Sequence, residues 1–88
     1  MRAPGAAKVK QGVGRRVAEL RRTQGLTQAA FAEEAGVSLQ YAQRVEAGEE
    51  NLTIESLVKL AHLLRVPVAS LFEAPTTRRA PPGRPRKA

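Results

Sequence analysis

An all-α fold is what this 88-residue sequence predicts, and three observations carry that prediction. No segment alternates apolar and polar residues as a half-buried strand would. Apolar residues instead recur at spacings of three and four, the mark of one helical face. Short periodic runs are bracketed by a capping residue in front and a glycine behind, as Thr27 and Gly36, then Ser38 and Gly48, bracket theirs.

Five helical segments follow in order. In the first, Val9, Val13, Val17 and Leu20 share a face; Gly12 and Gly14 weaken its start, and Gly25 supplies a left-handed stop. The second opens at the cap Thr27 and runs from Gln28 to Ala35. The third opens at Ser38 and runs to Ala47. The fourth opens at Thr53 and places Ile54, Leu57, Leu60, Ala61 and Leu64 on one face. The fifth is short, about Val68 to Phe72, and follows Pro67, whose fixed φ suits a helix start. Only Gly36 and Val37 separate Ala35 from the cap Ser38. Two short helices joined this tightly form a helix-turn-helix.

The domain reading is residues 9–73, with a disordered basic arm over 1–8 and a disordered Pro/Arg-rich tail over 74–88. Pro75, Pro81, Pro82 and Pro85 make that tail unable to bury a core. Cysteine is absent, so neither a disulfide nor a thiolate metal site is available. No apolar run approaches the roughly 18 residues of a membrane span, and no apolar block opens the chain as a leader would. A cytoplasmic, nucleoid-associated protein is expected. The single histidine, His62, lies on the outer face of the fourth helix with no second ligand or nucleophile beside it. No enzyme, cofactor, metal or small-molecule ligand is expected.

A net charge of +7 points to a polyanionic partner. The excess sits at the ends, on Arg2, Lys8 and Lys10 and on Arg78, Arg79, Arg84, Arg86 and Lys87. Between residues 12 and 73 seven basic and eight acidic side chains nearly cancel. Unrolled at about 100° per residue, the third helix places Ala42 and Val45 on the core side. Leu39, Gln40, Gln43 and Arg44 face outward. Tyr41 borders the two faces, as a phosphate contact or as the core's edge.

Gly25-Leu26-Thr27-Gln28, Phe31-Ala32, Ala35-Gly36-Val37-Ser38, Val45-Glu46-Ala47-Gly48 and the Leu57, Leu60, Ala61, Leu64, Val66 series closely resemble the Cro/repressor-type, or XRE, helix-turn-helix family. The match spans roughly residues 12–73. It implies a five-helix, lambda repressor-like domain and a dimeric regulator that binds double-stranded DNA sequence-specifically. It implies that Leu39, Gln40, Gln43 and Arg44 enter the major groove. There Arg44 would grip guanine, Gln40 adenine and Leu39 a thymine methyl. It also implies a phosphate contact from Gln28, beside which Ser38, Asn51 and, if it is not core edge, Tyr41 are expected to reach phosphates, and a structural pair between Arg21 and Glu46. Glu46 lies at a helix C-terminus, where the dipole opposes a carboxylate, so a compensating cation is required.

Three features depart from the family pattern. Ala29 and Ala30 stand where a Glu is common. Arg65 stands where Gly is common, which makes a left-handed backbone there strained. Glu49 and Glu50 follow the reading helix where relatives often carry a basic residue, and two carboxylates repel DNA. Pro82-Gly83-Arg84-Pro85-Arg86-Lys87 partly resembles an AT-hook, with Pro82 at the first core arginine's place. Arg84, Arg86 and Lys87 are therefore expected to contact DNA in the minor groove or along the phosphates; a merely solubilising tail is the alternative. Leu63 has no evident internal partner, so Leu63, Leu71 and Phe72 are expected to form a two-fold interface. The other reading is an antitoxin-like module that binds a protein partner and DNA weakly or not at all.

Overall fold

The computed structural model describes residues 5–75; the C-terminal residues Arg84, Arg86 and Lys87, the AT-hook-like stretch and the first four residues lie outside them. The described residues form four α-helices, α1 (Ala6–Thr23), α2 (Gln28–Ala35), α3 (Leu39–Ala47) and α4 (Ile54–Leu64), and a 3₁₀ helix (Val68–Phe72). The helical prediction holds, with two changes. Helix α1 begins at Ala6, so residues 6–8 belong to it and not to an arm; two alanines and a lysine are strong helix formers. The fifth segment is a 3₁₀ helix of five residues, in which Ser70 N–H donates to the Pro67 carbonyl at 2.9 Å.

Threonine and serine caps start three of the helices. Thr27, Ser38 and Thr53 accept from the N–H groups of Ala30, Tyr41 and Ser56, each cap worth about 1 kcal/mol. Helices α2, α3 and α4 end alike. At α4, Arg65 N–H bonds to the His62 carbonyl and Val66 N–H to that of Ala61, a pair that needs a left-handed residue. Glycine supplies it after α2 and α3, but at α4 it is Arg65, at φ 62° and ψ 43°.

Helix α1 packs on α3 and on the 3₁₀ helix, and α2 packs on α3. Val13, Val17, Phe31, Ala32, Ala42, Val45, Leu57, Leu60, Ala61, Leu64 and Leu71 form the core. Gly14 makes the α1–α3 contact possible. A Cβ there would lie 2.5 Å from the Val45 carbonyl oxygen and 2.7 Å from that of Glu46. This glycine is a packing requirement, not the weakness that its place in a helix suggests.

Three apolar residues are placed differently from expectation. Leu71 is fully buried and cannot form an intermolecular interface; three residues per 3₁₀ turn align it with Val68 against the core. Leu63 is half-buried and packed against the core, so it has an internal partner that the helical pattern does not show. Ile54 is 74% exposed. The buried stripe of α4 starts only at Leu57, and the turn carrying Ile54 extends past it. Phe72, one residue beyond Leu71, is exposed.

Arg16 fastens the 3₁₀ helix to α1. Its Nε donates to the Ser70 carbonyl at 2.9 Å, Nη1 to Glu19 Oε1 at 2.9 Å and Nη2 to Glu73 Oε1 at 3.0 Å. Nothing in the apolar pattern signalled this hub.

Candidate nucleic-acid interface

Helix α2, the Gly36–Val37 turn and α3 form one continuous motif. Gly36 is left-handed at φ 71°, Val37 is half-buried against the core, and Ser38 caps α3 at once. The turn is thus fixed on both sides, and α3 is held by its own buried pair, Ala42 and Val45. The ridge opposite that pair faces solvent. Leu39 is 43% exposed, and Gln40, Gln43 and Arg44 are exposed beside it. An exposed leucine among two amides and a guanidinium offers an apolar contact and bidentate hydrogen bonding on one ridge.

The ridge is anchored through an ion cluster at the far end of α3. Arg21 Nε donates to Glu46 Oε2 at 2.6 Å and Nη2 to Glu46 Oε1 at 3.1 Å, while Nη1 donates to the Leu26 carbonyl at 2.7 Å. Both side chains are nearly buried. The expected pair is present, and it has a third member. Gln28 Nε2 donates to Glu46 Oε1 at 2.8 Å. The amide expected to face a phosphate is turned onto this carboxylate, because a buried carboxylate at a helix C-terminus demands donors.

The other expected positions are spread around α3. Ser38 and Asn51 are exposed, at the start of α3 and beyond its end. Tyr41 is half-buried and packs against the core, the core-edge alternative. The partner of Glu50 is a feature that the sequence periodicity did not signal. The Glu50 carboxylate does not stand alone against DNA: Arg44 Nε donates to Glu50 Oε1 at 2.8 Å. That hydrogen bond first, and then the Glu50 charge, hold the Arg44 guanidinium above its ordinary range. Among the described residues no acidic and histidine cluster could hold a metal ion. No helix among them is long and apolar enough to cross a membrane.

Capped short helices, a two-residue turn and an exposed ridge on the second helix define a helix-turn-helix domain. A family model for helix-turn-helix proteins, HTH_3, matches residues 17–71. The chain belongs to this XRE-type family, as its residues suggested.

Solved structures agree. A restriction-modification controller protein, C.AhdI from Aeromonas hydrophila, is 33% identical with a TM-score of 0.68, over 75% of this chain and 98% of that one. An HTH_3 family transcriptional regulator from Vibrio cholerae is 29% identical with a TM-score of 0.70, over 77% of this chain. The chain spans 38% of that regulator's length. The clp gene regulator ClgR from Corynebacterium glutamicum is 26% identical with a TM-score of 0.67, over 77% of this chain and 69% of that one. No curated protein matches the chain.

Proposed function

We propose that this protein is a sequence-specific, duplex-DNA-binding transcriptional regulator that acts in the cytoplasm, on the nucleoid. One observation carries the proposal: the exposed ridge of α3, Leu39, Gln40, Gln43 and Arg44, stands on a helix whose opposite face is locked into the core. Such a helix fits the major groove, where arginine reads guanine and glutamine reads adenine. Similarity to a controller protein and to transcriptional regulators supports the reading.

In this reading Ser38 and Asn51 reach phosphates beside the groove, and Gln28 does so through the start of α2, where N–H groups lack helical partners. The protein acts as a homodimer on a palindrome whose half-sites lie about 34 Å apart. Phe72, 53% exposed, carries the proposed interface, since Leu71 is fully buried and half-buried Leu63 packs on the core. A shallow, largely apolar groove lined by Lys8, Val9, Gly12, Val13 and Phe72 supports this placement.

Selection of bound sites from a genomic DNA pool tests the function. Recovery of one palindromic motif is the expected result; recovery without any enriched sequence would overturn it. At the selected site Arg44→Ala is expected to cost about 1–3 kcal/mol and relax one base position. Gln28→Ala, which keeps the backbone contact at the start of α2 and removes only the donor to Glu46, is expected to leave the preferred site unchanged.

A further inference from the structure

Exposed ion pairs like Arg44–Glu50 are usually worth little, because ordering two long side chains offsets the attraction. Here the backbone has already ordered one of them. Gly48 turns the chain back at φ 77°, with Gly48 N–H on the Val45 carbonyl at 3.1 Å and Glu49 N–H on that of Arg44 at 2.9 Å. Helix α1 backs this turn: a Cβ on Gly48 would meet Gln11 Cα at 2.7 Å. Two residues after Glu50, Leu52 packs against the core. Glu50 therefore stands between two fixed points, its side chain 24% exposed against 50% for Arg44. The carboxylate is the better-held partner, and the arginine is the one it restrains.

Which edge of the guanidinium is restrained decides the consequence. Glu50 takes Nε. Among the described residues neither Nη of Arg44 has a hydrogen-bond partner, so both stay available as an end-on fork. Guanine O6 and N7 accept such a fork. An arginine already held by one edge loses less freedom when it docks. The carboxylate has an opposite effect on overall affinity, because it repels phosphates.

We propose that Glu50 is the positioning residue for base readout: it holds Arg44 by Nε, directs the Nη1–Nη2 fork outward, and so sets the guanine preference without touching DNA. The proposal rests on the DNA-reading role given above to α3. It assigns Glu50 a trade, with weaker binding to all DNA and sharper choice among sequences. A different device built from the same pair, a lock that Arg44 must leave in order to bind, makes the opposite prediction for discrimination.

The test measures anisotropy titrations of the full chain at one salt concentration. The probes are the duplex selected from the pool, the same duplex with each base pair changed in turn, and a random duplex. Glu50→Ala is expected to lower discrimination roughly tenfold at one G·C position while binding the random duplex more tightly. Glu50→Gln, which keeps the acceptor oxygen without the charge, is expected to bind the random duplex as tightly as Glu50→Ala and retain the discrimination. Glu49→Ala is expected to raise affinity with discrimination unchanged. In an Arg44→Ala background, Glu50→Ala should alter discrimination no further. Wild-type discrimination in Glu50→Ala, or sharper discrimination, overturns the positioning role while leaving the DNA-binding reading intact. A wild-type protein that binds every duplex equally overturns both.

Discussion

Arg21 and Glu46 close a nearly buried fork between α1 and α3, with Nε to Oε2 at 2.6 Å and Nη2 to Oε1 at 3.1 Å. Gln28 adds a third donor to the same carboxylate. Removing one partner leaves the other charged and desolvated, which costs more than the pair contributes. Glu46→Gln and Arg21→Met are each expected to destabilise the fold by roughly 3–5 kcal/mol. The double variant should lose less than the sum of the two, because neither charge is then stranded. Urea unfolding of the four proteins checks this. Near-wild-type midpoints for both single variants would show that the cluster does not hold α1 to α3.

Two glycines of α1 should respond in opposite senses. At Gly14 a Cβ would collide with the Val45 and Glu46 carbonyls, which are backbone and cannot swing aside. Gly14→Ala is expected to force the helices apart and cost about 1–3 kcal/mol. At Gly12 nothing lies within 4 Å of the added atom. There alanine's higher helix propensity should stabilise the protein by about 0.5–1 kcal/mol. Thermal melts of the two variants decide it, and the same sign for both would refute the packing argument.

Arg65 takes the left-handed conformation that glycine provides at the ends of α2 and α3. A side chain there costs roughly 1–2 kcal/mol, and glycine's added freedom in the unfolded chain returns part of that. Arg65→Gly should therefore stabilise by about 0.5–1 kcal/mol. Arg65→Ala is the control. It removes the charge and keeps the strain, so its urea midpoint should stay near that of the wild type.

Much of this architecture is written in local chemistry. Thr27, Ser38 and Thr53 cap where a capping residue precedes a periodic run, and the left-handed residues Gly36 and Gly48 end α2 and α3. Such signals lie within four residues of their effect. The split of α3 into a buried Ala42–Val45 face and an exposed ridge follows from helical periodicity alone. The features that escaped are those joining distant parts of the chain. Arg16 meets Ser70 and Glu73, Gln28 meets Glu46, and Gly14 meets Val45 only after folding. Leu71 and Phe72 differ in burial because one residue's step around a five-residue 3₁₀ helix carries the side chain from the core to the surface, and a segment this short has no repeat to show which is which. Glu50 was read as a lone repelling charge because a six-residue separation is not a helical neighbour spacing; the turn at Gly48 brings it back to Arg44.

Assembly should depend on Phe72. Phe72→Glu places a charge at an exposed apolar residue without disturbing Leu71, which anchors the 3₁₀ helix. Sedimentation equilibrium is expected to show a dimer for the wild type and a weakened one for Phe72→Glu. Ile54 and Val58, one turn apart on α4, are 74% and 41% exposed and make a second apolar surface. Loss of the dimer in Ile54→Glu with Phe72→Glu unaffected would move the interface to α4. A monomer in wild type, both free and on DNA, would refute the two-fold arrangement.

The sequence between residues 12 and 73 is nearly neutral, whereas Arg78, Arg79, Arg84, Arg86 and Lys87 form a separate basic group. Phosphate neutralisation dominates affinity and its salt dependence, at about −0.9 in log–log slope per phosphate contacted on duplex DNA. The α3 ridge should therefore choose the sequence while the C-terminal charges supply much of the binding strength. Replacing all five by alanine in the full chain is expected to weaken binding to every duplex and make the salt slope shallower, by as much as about 4.5. The preferred site should not change, because base contacts and not phosphate contacts carry sequence information. A minor-groove role for Arg84 adds one requirement. Arg84→Ala must then cost more at sites flanked by A·T tracts, whose narrow minor groove concentrates negative potential, than at sites flanked by G·C. Equal losses at both flanks would leave these residues as phosphate contacts. Unchanged affinity and slope in the five-fold variant would show that these five residues are not phosphate contacts, and that Arg44 works against Glu49 and Glu50 without help from them.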